Sequence, residues 1–229
     1  MNTMIALIPV LPFVGFVVTL LIGKRVFGRQ AHVLATALVT ASCVLALIVF
    51  AQLFRHPEEP LEVSLFTWVT AGDFTVQWGY YVDSLTAVML VVVGVIGMLV
   101  HYYSIGYMHG DEGYYRFFAY LNLFMFAMFV LILADNFLLL FLAWEGVGLC
   151  SYLLIAFWFR KKSAPQAGKK AFLVNRVGDF GFMLGMFLVF VTTGTLQFTG
   201  VFGEAETIGS ATMAWICLLL FTGAVGKSA

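Results

Sequence analysis

Residues 137–159 read FLLLFLAWEGVGLCSYLLIAFWF, an apolar run that contains one charged residue, Glu145. A helix needs about 20 apolar residues to cross the ~30 Å hydrocarbon core of a bilayer, so this run predicts a membrane-spanning helix. Glu145 comes about eight residues into the run, roughly 12 Å from its start at the helical rise of 1.5 Å per residue. An ionisable group at that depth costs about 2.5–3.5 kcal/mol on insertion scales and indicates an ion or proton path.

Six further apolar runs are also long enough to cross the bilayer. They cover residues 4–23, 31–54, 83–105, 114–134, 170–192 and 210–229. The chain is 62% hydrophobic and 10% charged, against about 45–50% apolar and 25% charged residues in soluble domains. This composition excludes a soluble domain and predicts an all-α polytopic membrane protein with seven transmembrane helices. Residues 61–82 are rich in Val, Thr, Phe, Trp and Tyr around Ala71-Gly72-Asp73, which predicts an extracytoplasmic β-hairpin between helices 2 and 3.

Lysine and arginine are distributed unequally between the two sets of alternate loops. The 1–2, 3–4 and 5–6 connections, with the ends of their spans, hold nine such residues, whereas the other three connections hold only Arg55. Because cytoplasmic loops carry an excess of Lys and Arg, we expect the basic loops to be cytoplasmic and the N-terminus to lie outside. The seventh run reaches Ala229 without a hydrophilic flank, which predicts a truncated chain.

The sequence contains no motif for a nucleotide or metal site. GxGxxG, Walker A and HExxH patterns are all missing from it. The three cysteines, Cys43, Cys150 and Cys217, lie far apart inside apolar runs and lack metal-ligand spacing. These patterns therefore predict neither a bound cofactor nor a disulfide framework.

Three more charged residues lie within the predicted spans. Lys227, in the seventh, is the natural partner for Glu145, although a lysine so placed can also snorkel to the cytoplasmic surface. Arg176 and Asp179 are spaced i, i+3 on the sixth helix, so they share a face and can pair with each other. The residues alone leave two interpretations open, a proton path and a set of static ion pairs.

Four other polar residues near or inside the spans carry weaker signals. Lys170 starts the sixth span as a positive-inside anchor or as the lining of an entry cavity. His101 is typical of an interfacial residue, with a proton relay as the alternative. Asn122 predicts a hydrogen bond between helices, and Asp135 predicts a turn and a helix N-cap.

Several long motifs resemble those of a known family. Residues 144–155, WEGVGLCSYLLI, resemble the fifth-helix signature of the antiporter-like subunits of respiratory complex I, the proton-translocating NADH–quinone oxidoreductase. Residues 171–182, AFLVNRVGDFGF, look like the sixth-helix segment of the L (ND5) type of these subunits. Residues 101–108, HYYSIGYM, and 226–229, GKSA, also match.

The resemblance implies a fold and a site. Residues 1–113 would form leading helices 1–3 with the hairpin, and residues 114–229 helices 4–7 of the first of two inverted repeats, so the chain would be an N-terminal fragment. Family members move protons through a fifth-helix glutamate and a seventh-helix lysine, which correspond here to Glu145 and Lys227. The resemblance implies that Arg176 and Asp179 tune that lysine or communicate with the adjacent subunit, and Lys170 and His101 are two further supporting candidates.

The resemblance also implies partners and a location. The chain would be part of an enzyme, a proton-translocating NADH–quinone oxidoreductase of the respiratory chain, without redox chemistry of its own. It would bind no cofactor, because NADH, FMN, iron–sulfur clusters and quinone would be held by other subunits. Its partners would be other membrane subunits, the lipid bilayer and protons, but not nucleic acid, in a bacterial inner membrane. Two alternatives remain: a subunit of a multisubunit cation/proton antiporter, and a structural membrane scaffold with static ion pairs.

Overall fold

The computed structural model describes residues 1–55, 60–72 and 74–228, without the side chains of Phe27 and Arg29. Seven helices in these ranges are long and apolar enough to cross a membrane. They are α1 (Asn2–Ile22), α2 (Ala31–Arg55), α3 (Ser84–Tyr107), α4 (Tyr114–Leu133), α5 (Phe137–Ile155), α6 (Ser163–Thr193) and α8 (Ser210–Ser228), with the short α7 (Phe198–Gly203) before the last. The predicted all-α membrane fold is confirmed.

The predicted β-hairpin is also confirmed. Strands β1 (Leu61–Ala71) and β2 (Phe74–Val82) form a two-stranded sheet between α2 and α3. Gly72 adopts a φ of +61° at the turn, a backbone conformation that costs glycine little because it has no Cβ. The hairpin therefore follows from a glycine turn between two runs of β-branched and aromatic residues.

The largest difference from the predicted spans is at the start of α6. This helix begins at Ser163, whereas hydropathy predicts a span from residue 170. Pro165 lies in its first turn, where a backbone N–H would have no helical partner and proline is tolerated. The additional turns are polar, so hydropathy does not detect them, and they place Lys170 inside the helix.

The chain divides into two compact units. The first contains residues 1–63 and 80–133. In it, α1 packs against α2 and α4, and α2 packs against α3. The buried residues of α2 recur every three or four positions, as expected of a helix that presents one face to its neighbours. They are Ala31, Ala35, Thr36, Val39, Ser42, Cys43, Ala46, Val49 and Leu53.

The second unit contains residues 64–79 and 134–229. Here α6 packs against both α5 and α8. A Cβ atom added to Gly178 on α6 would lie 2.9 Å from Cα of Gly226 on α8, a distance that real Cβ atoms do not reach. Small residues allow two membrane helices to approach this closely. Lys227 directly follows Gly226, so the close packing of α6 and α8 determines the position of this lysine within the unit.

A polar cluster in the second unit determines where α5 begins. Asn136 caps the helix, because its side-chain oxygen accepts a hydrogen bond from the Leu139 N–H at 2.8 Å. Its amide also donates to the Gln77 carbonyl at 3.0 Å and to Asp135 Oδ1 at 2.6 Å. The prediction of Asp135 as the N-cap is wrong by one residue, because its Oδ2 accepts instead from Gln197 Nε2 at 2.9 Å. This cluster sets the depth of Glu145 along α5.

Candidate functional site

Four charged side chains from α5, α6 and α8 form one cluster in the second unit. The carboxylate of Glu145 forms an ion pair, through Oε2, with Nη1 of Arg176. The Glu145 side chain is 20% exposed and that of Arg176 is 46% exposed within the chain. The guanidinium of Arg176 also lies 4.8 Å from the centroid of the Phe172 ring. Glu145 therefore has a cationic partner from the neighbouring helix.

Asp179 is buried and takes a neutral partner. It is 1% exposed, and its Oδ1 accepts a hydrogen bond from the indole Nε1 of Trp144 at 2.8 Å. The predicted Arg176–Asp179 pair is therefore replaced by two contacts with α5. The physical reason is reach: the long Arg176 side chain crosses to Glu145, while the indole of Trp144 extends back to the shorter Asp179.

Lys227 points at the backbone of α5. Its ammonium Nζ donates a hydrogen bond to the Trp144 carbonyl at 2.7 Å and lies 5.4 Å from the centroid of the Trp144 ring. Among the residues that the structure describes, Lys227 has no carboxylate within the 4.0 Å of an ion pair. The structure thus brings Lys227 into the cluster of Glu145 without pairing the two directly, and the side chain does not extend away from α5.

The cluster is balanced in charge, with two carboxylates and two cations. Glu145 and Asp179 interact electrostatically with each other and with Lys227. Charges interact more strongly in a medium of low dielectric constant than in water. The second oxygen of Glu145, Oε1, is buried and has no hydrogen-bond partner within the described ranges. One carboxylate oxygen is therefore left with capacity for a proton or for another donor.

Trp144 is the functional residue that sequence reasoning missed. One residue contacts two charged groups, because its indole N–H holds Asp179 while its carbonyl holds Lys227. Its ring also stacks on Phe182 at 5.6 Å. A tryptophan in an apolar helix is typical of packing, and the only sequence signal was its position directly before Glu145.

Lys170 and Lys227 line the same recess. This cavity of about 360 Å³ lies between α6 and α8. Its other lining residues are Ala167, Ala171, Val174, Asn175, Gly226 and Ser228. The two lysines give the recess a positive character, and Lys170 lies at its wall.

His101 belongs to the first unit and is buried against the neighbouring helix α4. It is 1% exposed, and its Nδ1 lies 2.7 Å from the Gly97 carbonyl, which can only accept a hydrogen bond. Its Nε2 lies 3.3 Å from the side-chain amide nitrogen of Asn122 on α4, which can only donate. The predicted helix–helix hydrogen bond of Asn122 is therefore confirmed, while the interfacial position and the relay role of His101 stay predictions.

Two family models match the chain. One, described as NADH:quinone oxidoreductase/Mrp antiporter, TM, matches residues 134–229. The other, described as NADH-Ubiquinone oxidoreductase (complex I), chain 5 N-terminus, matches residues 68–118. Together they cover more than half of the chain, including all four members of the charged cluster.

Similar solved structures carry the same fold. The chain superposes on the Mrp complex from Dietzia with a TM-score of 0.81 and 26% identity, over 98% of this chain and 24% of that one. An archaeal membrane-bound sulfane sulfur reductase gives a TM-score of 0.82 at 18% identity, over 97% of this chain and 44% of that one. At 18% identity, the similarity to the sulfane sulfur reductase shows a shared fold and nothing more.

Curated relatives are more similar in sequence. NADH-quinone oxidoreductase subunit L of Rickettsia felis is 40% identical, over 97% of this chain and 36% of the relative. The corresponding subunit of Mycobacterium tuberculosis is 42% identical, over 97% and 35%. The chain thus spans about a third of the length of these relatives. It belongs to the family of antiporter-like membrane subunits of NADH–quinone oxidoreductase, of the subunit L or chain 5 type.

Proposed function

We propose that this chain moves protons as a membrane subunit of a proton-translocating NADH–quinone oxidoreductase. Family membership supports the enzyme complex, and the charged cluster supports the proton path. One observation carries the proposal: Glu145 is paired with Arg176, while Lys227 lies in the same cluster without a carboxylate partner among the described residues. A set of static ion pairs would leave no such cation.

The proposed mechanism is an exchange of partners by Glu145. Arginine does not release its proton at working pH, whereas a lysine amine can. A carboxylate beside an amine favours the charged form of that amine. Movement of Glu145 between Arg176 and Lys227 therefore changes whether the lysine keeps its proton or passes it to water along the path. Redox chemistry elsewhere would drive this movement, and the only bonds that change here are those to the proton.

The surroundings of the site follow from the same proposal. NADH, FMN, iron–sulfur clusters and quinone would be bound by other subunits, because this chain supplies apolar helices and a charge cluster. The lipid bilayer and the other membrane subunits would be its partners. We place the protein in the inner membrane of a bacterial cell, with the basic loops in the cytoplasm and the N-terminus outside.

The decisive experiment is Glu145→Gln in the full-length subunit within the assembled complex. Proton pumping is measured in membrane vesicles while NADH oxidation is recorded in parallel. We expect pumping to fall by about tenfold or more, since proton-transfer groups typically contribute that much. The matched control is Glu62→Gln, which removes an exposed carboxylate from the hairpin. Unchanged pumping and turnover in a complex that still assembles would favour a structural scaffold instead.

A second candidate function is a cation/proton antiporter subunit, favoured by the superposition on the Mrp complex. The same cluster serves either function, so the two are separated by their energy source. Vesicles of the assembled complex that pump protons on addition of NADH, without a Na⁺ gradient, support the oxidoreductase. Proton movement that follows only an imposed Na⁺ gradient supports the antiporter.

A further inference from the structure

The ammonium of Lys227 lies against the surface of α5 in a small notch, which is formed by the carbonyl and ring of Trp144 and by Gly148. Its Nζ atom donates to the Trp144 carbonyl at 2.7 Å. One helical turn further, a Cβ atom added to Gly148 would lie 2.7 Å from the same Nζ. The face of the Trp144 ring lies 5.4 Å away on another side. The contacts of the ammonium with α5 are therefore a carbonyl, a bare Cα and an aromatic face.

Gly148 is required for this contact. In an α-helix the carbonyl of residue 144 accepts the N–H of residue 148, and its second lone pair stays available to another donor. A Cβ at position 148 would lie 2.7 Å from Nζ and would obstruct the approach of the ammonium to that lone pair. The glycine leaves it open, and any larger residue would occupy the position of the ammonium.

The packing of α8 on α6 brings the lysine to the notch. Gly178 and Gly226 lie back to back, and a Cβ on either would come within 2.9 Å of the other's Cα. Gly226 directly precedes Lys227, so the closest approach of the two helices is next to the lysine. The Lys227 side chain therefore has only a short distance to cover between its backbone and the notch.

We propose that Trp144 and Gly148 form a neutral holding site for the ammonium of Lys227, occupied while Glu145 is paired with Arg176. Trp144 and Gly148 are then positioning residues, which act through the lysine. A buried cation needs a partner, and a carbonyl with an aromatic face supplies one without the strength of a carboxylate. Lys227 can therefore be held close to Glu145 by neutral groups and still dissociate from the notch when Glu145 changes its partner. This inference rests on the proposed function.

The first test is Gly148→Ala in the full-length subunit of the assembled complex. The added methyl blocks the notch, so the ammonium moves from the Trp144 carbonyl toward Glu145, and we expect severalfold fewer protons pumped per NADH oxidised. Cryo-electron microscopy of the variant shows whether Lys227 has moved, a change that a packing defect alone would not produce. The matched control is Gly203→Ala, where an added Cβ meets no atom within 4 Å.

A second pair of variants tests the aromatic face. Trp144→Phe keeps a ring and the carbonyl, whereas Trp144→Leu keeps the carbonyl alone. Both lose the hydrogen bond to Asp179, so the difference between them reports the ring. We expect the phenylalanine variant to retain more protons per NADH than the leucine variant. Equal values would overturn the role of the ring.

The outcomes separate this inference from the proposed function. Normal coupling in Gly148→Ala together with lost pumping in Glu145→Gln would overturn the holding site and leave the function intact. Normal coupling in both would overturn the function itself. If Gly148→Ala fails to assemble, the wild-type complex decides: we expect Lys227 Nζ within about 3.2 Å of the Trp144 oxygen in at least one state. Its pairing with a carboxylate in every state would overturn the inference.

Discussion

Each of the two units contains a polar cluster, and the two clusters differ in charge and in burial. In the first unit, His101 and Asn122 join α3 to α4 through hydrogen bonds that require a neutral imidazole, since Nδ1 donates to Gly97 and Nε2 accepts from Asn122. In the second unit, two carboxylates and two cations meet, and one cation is held by neutral groups. Both clusters are polar, but the donors and acceptors of the first are neutral groups in fixed roles, whereas our proposal requires the charged partners of the second to be exchanged.

The difference between the clusters suggests which polar groups of a membrane helix serve its structure and which serve its function. A neutral hydrogen bond between membrane helices costs little to keep and contributes modest stability, averaging about 0.6 kcal/mol. A charged group in the same environment is expensive, so a chain that retains four of them gains something other than stability. We therefore expect the proposed proton path to follow the charged cluster of the second unit and not the neutral cluster of the first.

Of the variants that test this contrast, Lys227→Gln should reduce proton pumping the most. Glutamine can still donate to the Trp144 carbonyl but cannot carry or release a proton. We expect pumping to fall by about tenfold or more with assembly retained. The measurement is proton pumping in vesicles beside NADH oxidation, with Lys162→Gln, at the exposed residue directly before α6, as the control. Pumping at the wild-type level in Lys227→Gln would remove the distinction between the two clusters.

The sequence predicted those features that depend on local composition. The seven spans follow from hydropathy, because each helix must be about 20 apolar residues long whatever it packs against. The hairpin follows from the glycine turn at Gly72 and its flanking residues. Glu145, Arg176, Asp179 and Lys227 were found because a charge stands out in an apolar run, and the structure brings these four together in one cluster.

The pairing within that cluster could not be predicted. Spacing along α6 places Arg176 and Asp179 on one face, but the rotation of α6 against α5 decides which neighbour each reaches. The packing of α8 on α6 makes the carbonyl of Trp144 a partner for Lys227, and a backbone carbonyl cannot be recognised as a partner from the residue pattern. The burial of His101 could not be predicted for a related reason, since it depends on the packing of α4.

Asp179→Asn should have an intermediate effect. The asparagine oxygen can still accept the indole N–H of Trp144, so the fold is kept while one negative charge leaves the cluster. We expect pumping to fall by severalfold, because Lys227 loses one of the two carboxylates that act on it. Asp83→Asn is the matched control, since it makes the same change at the N-cap of α3, where asparagine caps equally well. Equal results for the two variants would show that the charge of Asp179 is not used.

The smallest expected effect is that of His101→Leu and Asn122→Leu in the first unit. Both variants remove the hydrogen bond between α3 and α4, so a double-mutant cycle on the thermal stability of the full-length complex should give a coupling of about 0.6 kcal/mol, and no more than about 1.7 kcal/mol. Protons pumped per NADH should stay at the wild-type value, because the imidazole is held neutral from both sides. A His101→Leu complex that assembles but pumps as poorly as Lys227→Gln would place this histidine on the proton path. Neutral hydrogen bonding would then no longer distinguish the structural cluster from the functional one.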